Sequence, residues 1–79
     1  MNTTQIPASE VHPGMQILVA VINRCDPEFG QHRTATITEV TKAGPFLELR
    51  GTQDAPDYLG NRTFRAAAYR PTALVEVVA

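Results

Sequence analysis

Turn-forming dipeptides punctuate this chain at Pro13-Gly14, Asp26-Pro27, Gly44-Pro45, Gly60-Asn61 and Arg70-Pro71. The apolar stretches between them are shorter than the about 12 residues an independent helix needs, so strands are what the sequence can build. Residues 15–23 hold a β-branched apolar run and predict a central strand. Residues 32–41 alternate, with Ala35 and Ile37 on one face and Thr34, Thr36 and Thr38 on the other. Val40 falls out of that phase, which predicts a bulge or sharp bend near Thr38-Glu39. Residues 46–50 aim Leu47 and Leu49 at the core. Residues 62–66 aim Phe64 inward between Thr63 and Arg65, and residues 74–78 close the chain. Residues 23–31 and 51–61 read as two long polar loops, and 42–45 as a turn. Residues 65–69, with three consecutive alanines, are the one candidate for a helical turn.

Five short strands in 79 residues predict one all-β domain over residues 1–79, a small closed or nearly closed five-stranded barrel. Closure is expected because it removes free sheet edges. Residues 1–8 are expected to be a flexible lead. A chain of this length buries only about 60% of its unfolded surface, so its stability is marginal without help. Cys25 is the only cysteine, which excludes a disulfide framework and suits a reducing, cytoplasmic setting. Residues 1–5 are polar and unlike a signal peptide. Residues 17–22, the longest apolar run, are too few to span a bilayer, so no membrane partner is expected.

The segment Glu10-Val11-His12-Pro13-Gly14-Met15, the two long strands after it and the ending Arg70-Pro71-Thr72-Ala73-Leu74-Val75-Glu76-Val77 together resemble the SH3-like small barrels. The resemblance covers nearly the whole chain. It implies a short 3-10 turn near residues 70–73 before the last strand. Peptide-binding members stack proline-rich ligands on an aromatic groove that includes tryptophan. The chain has no tryptophan and only Tyr58 and Tyr69 to contribute, so polyproline recognition does not carry over. The chain is also similar to small accessory proteins from phages of high-GC bacteria. Those pair an Ala-Ser-Glu-Val-x-Pro-Gly opening with a Thr-Phe-Arg-Ala segment, here residues 8–14 and 63–66. That likeness implies a protein that binds a partner in a host cytoplasm.

Net charge is −1, from six arginines and one lysine against eight acids, which disfavours a dedicated nucleic-acid binder. The strip over residues 60–71 nevertheless gathers Arg62, Arg65, Arg70 and Tyr69, and with Arg33 it forms the candidate nucleic-acid face. Burying Phe64 gains about 2–3 kcal/mol, so parity turns it to the core and leaves the arginines as surface groups. Cys25, Asp26, Glu28 and His32 share one loop region. One thiol and one imidazole fall short of a zinc set, and no third group orients a nucleophile–base pair. No phosphate-binding glycine pattern occurs. The expectation is a protein without catalytic residues, metal or cofactor.

The main functional expectation is a non-enzymatic protein-interaction module that works through its two long loops. Arg24, Phe29, Tyr58 and Leu59 are its expected contact residues, because arginine and aromatics dominate binding hot spots. A nucleic-acid-binding barrel is the alternative. A structural or oligomeric phage subunit is the third, with the terminal strand over residues 73–79 pairing with a second copy across an open edge.

Overall fold

Alternating apolar positions and the turn residues between them produce six strands in the computed structural model, which describes residues 2–78 and, of Ala67, the backbone alone. They are β1 (Thr3–Pro7), β2 (Gln16–Ala20), β3 (His32–Ala43), β4 (Phe46–Gln53), β5 (Thr63–Tyr69) and β6 (Leu74–Val78). All belong to one antiparallel sheet in the order β1-β6-β2-β3-β4-β5. The fold is therefore all-β, as the sequence predicts. The sheet does not close, and β1 and β5 are its two ends.

The inward residues of both halves meet in a core of Ala8, Val11, Ile17, Ala35, Ile37, Leu49 and Val75. Ile6, Val19, Val40, Leu47, Phe64 and Tyr69 pack against it. Phe64 is partly rather than fully buried, so Phe64→Ala is expected to cost about 2 kcal/mol, below the figure for a wholly buried ring. Urea denaturation checks it.

Two irregularities bend the sheet. The β3–β4 register shifts between Ile37 and Glu39, where the sequence predicts a bulge, and the intervening Thr38 donates its hydroxyl to the Arg50 carbonyl at 3.3 Å. In β5 the four residues from Ala66 to Tyr69 oppose the three from Leu49 to Leu47. That extra residue resets the parity and lets Phe64, Ala66 and Tyr69 all reach the core side.

Several expectations are corrected. Residues 65–69 form the second half of β5 and no helical turn, because pairing Ala66 to Leu49 and Tyr69 to Leu47 outweighs alanine's helix preference. Residues 1–8, expected to be a flexible lead, contain β1. Its backbone pairs with β6 from Thr3–Val78 to Pro7–Leu74, although little of its surface is apolar. The short turn expected at residues 70–73 is present, closed by the Ala73 amide donating to the Arg70 carbonyl at 2.9 Å. A 3-10 helix that the sequence reading did not anticipate lies at Ala8–Glu10. The terminal strand is not an edge: β6 is held between β1 and β2. Among the described residues no helix is long and apolar enough to cross a membrane.

Candidate binding cleft

The strands β2 to β5 form a meander whose first and last members come round to flank a common opening. The opening is a cleft of about 450 Å³. Leu18, Val21 and Ile22 line one wall, and Phe64, Ala66 and Tyr69 line the other. Burial raises the pKa of the Tyr69 hydroxyl, as expected for a phenol set against apolar neighbours.

One end of the cleft is polar and centres on Arg33, which β3 projects beside Val19 of β2. Its Nη2 donates to both carboxylate oxygens of Asp26, at 3.0 and 2.9 Å. Nε donates to Glu28 Oε2 at 3.0 Å, and Nη1 to Gln53 Oε1 at 3.4 Å. Asp26 Oδ1 also accepts the Glu28 amide at 2.9 Å, an Asx turn prepared by the Asp-Pro dipeptide. Asn23 Nδ2 donates to the Tyr58 hydroxyl at 3.1 Å. The Asp26 carboxylate thus ties residues 21–31 to β3, and the Asn23–Tyr58 bond joins residues 54–62 to them. The charge pair is buried but leaves no polar side-chain atom unsatisfied among the described residues, which is the condition for tolerating such a pair.

The Glu28 amide, helped by Arg33, holds the Asp26 carboxyl below its ordinary value of 3.8 against the opposing effect of burial. Bonds from Arg65 and then Arg50 hold Glu48 below 4.5. Carboxyls depressed in the fold contribute stability that is complete above those ordinary values. It is lost as pH falls through them toward the lower folded values. Thermal melts at stepped pH are expected to show Tm falling from about pH 4.5 downward. Asp26→Asn should make that acid limb shallower, and an unchanged limb would show that Asp26 does not drive it.

The structure brings together only some of the residues singled out by sequence. Tyr58 lines the cleft, and Leu59 stands beside it, 68% exposed. Arg24 and Phe29 are exposed on residues 21–31 but do not line the cleft. Ile22, 83% exposed on the rim, was absent from the expected contacts because the apolar run placed it inside a strand. Asp26 and Gln53 were also missed, since nothing local in sequence shows that a buried arginine lies across from them. The expected arginine face needs correction. Arg62, Arg65 and Arg70 are exposed and Tyr69 is half-buried, but Arg33 is only 7% exposed and fully engaged. It is thereby withdrawn from any phosphate. Arg65 is itself held by Glu48 Oε2 at 3.2 Å, while Arg50 pairs with Glu48 Oε1.

Among the described residues no three His, Cys, Asp or Glu side chains converge as a metal site would require. No protein family, curated protein or solved structure matches the chain.

Proposed function

We propose that the chain is a non-catalytic protein-interaction module, an SH3-like barrel left open between β2 and β5, whose cleft and rim receive a partner protein. The strand order supports the SH3-like reading, because β6 returns to β2 and a tight turn at residues 70–73 separates the last two strands. One observation carries the function: an apolar-walled cleft of about 450 Å³ is flanked by exposed Ile22, Tyr58 and Leu59 on loops that the Asp26 network fixes in place. Exposed apolar and aromatic groups on a rigid frame are the usual makings of a hot spot. Fixing the loops before binding lowers the ordering cost of association.

The arginine face has weaker support, since one of its members is buried and another is neutralised by Glu48. The chain's net charge of −1 gives little attraction for phosphates.

Capture from lysate with the immobilised protein, compared with Tyr58→Ala and Ile22→Ser, tests the proposal. A stoichiometric partner retained by the unmodified protein should bind each variant at least about tenfold more weakly, the loss of a hot-spot side chain. Equal retention by the variants places any partner elsewhere, and retention of nucleic acid alone favours the arginine face.

A further inference from the structure

We propose that the occupant of the cleft is an extended peptide segment, added as a further strand to the free edge of β5, with alternating apolar side chains and a cationic residue toward Asp57. The inference rests on the interaction-module reading and names its ligand class.

Four observations point the same way. First, β5 is the last strand of the sheet, so the backbone groups on its side away from β4 have no backbone partner among the described residues; the Thr63 carbonyl accepts a long bond of 3.4 Å from Gln53 Nε2. Second, that edge is guarded only by its bulge at Ala66–Tyr69, which leaves Thr63 to Ala66 regular. Sheet edges are ordinarily blunted by proline, lysine or inward charges, as Pro7 blunts the other end at β1. The sequence of β5, TFRAAAY, has none of these. Its one charge, Arg65, is drawn onto Glu48, and its alanines leave the backbone accessible. Third, the cleft runs beside this edge, where the inward side chains of an added strand would fall between Leu18 and Phe64.

The fourth observation is charge. Four charged side chains line the cleft. Arg33 and Asp26 satisfy each other, and Arg65 is taken by Glu48. Asp57 is different. Its Oδ1 accepts the Leu59 and Asn61 amides, each at 2.9 Å, while no hydrogen bond engages Oδ2 among the described residues. A lysine or arginine on the ligand would complement it.

A second copy of the chain fits less well. Its β5 could offer an edge, but Phe64 and Tyr69, the large inward side chains of that strand, already pack against its own core. Only a segment free of its own fold can bring side chains into the cleft.

The test uses the full chain and a displayed library of short random peptides. Selected sequences should alternate apolar residues with a period of two and carry Lys or Arg at one end. In a selected peptide, N-methylation of alternate amides on one face should weaken binding by about tenfold or more, and on the other face little, because only one set pairs with β5. Asp57→Asn, which keeps the Oδ1 acceptor, should weaken binding about fivefold. Amide exchange in β5 should slow when peptide is bound. Helical or proline-rich winners, indifference to N-methylation, or perturbation confined to other strands overturns the proposal. So does a dimer in sedimentation whose formation protects the β5 edge. A lysate partner lost on Tyr58→Ala, combined with no strand-like peptide, leaves the interaction-module reading standing and removes only this inference.

Discussion

Gly51→Ala is expected to destabilise the protein by about 3 kcal/mol or more, lowering Tm by at least about 12 °C. Gly51 sits in β4 where the strand is paired on both sides, to Ile37 of β3 and Phe64 of β5. The β3 bulge drives the Thr36 carbonyl into the space a side chain would take: a Cβ on Gly51 would lie 2.0 Å from that oxygen and 2.8 Å from its carbon. Both are backbone atoms, so no rotamer change relieves the clash and two strands must separate. Gly60 provides the contrast. It has a φ of 83° and open space around it, so Gly60→Ala carries only the left-handed strain of about 1 kcal/mol. Denaturant titrations of both variants check the pair. Comparable losses at the two sites would mean that the sheet is not so tightly folded at the Ile37–Gly51 crossing.

Asp26→Ala is expected to be the second severe change, with Tm falling by on the order of 10 °C. It removes the acceptor shared by Arg33 and the Glu28 amide, and it leaves Arg33 buried with only Glu28 and Gln53. Most of the loss comes from stranding a buried charge rather than from the pair's own attraction. Asp26→Ala combined with Arg33→Met should therefore be more stable than Asp26→Ala alone. Strict additivity of the two changes contradicts that explanation. The single variant should also loosen residues 21–31, broadening their amide signals and those of Tyr58, which Asn23 tethers.

Strand positions were legible because they depend on local pattern. Ala35, Ile37 and Leu49 alternate, and all three are buried. Val40 announced the bulge by breaking phase. Two strand ends were not legible for the same reason in reverse. Thr3-Thr4-Gln5 carries no apolar alternation, so β1 exists only through its pairing with β6, which no local signal encodes. The three alanines at residues 66–68 favour a helix locally, and the β4 ladder overrides them. Gly51 looked like the start of a loop, whereas its role is to admit a carbonyl from a strand fifteen positions earlier (Thr36).

The candidate site divided along similar lines. The exposure of Tyr58 and Leu59 was legible, because apolar groups in a long polar loop have little core to reach. The Arg33–Asp26 pair was not, since an arginine in an alternating strand reads as a solvated residue until its partners are placed around it. The sequence pattern places Arg33 on an exposed face, and the fold buries it.

Amide hydrogen exchange along β5 in the free protein tests the open cleft most directly. Amides that bond to β4 should exchange slowly and those that point away should exchange fast, alternating from Thr63 to Tyr69 with one break where the register shifts. Uniformly slow exchange across residues 63–69 in the monomer would contradict the account, because it would mean that the edge of β5 is already paired and the barrel closed.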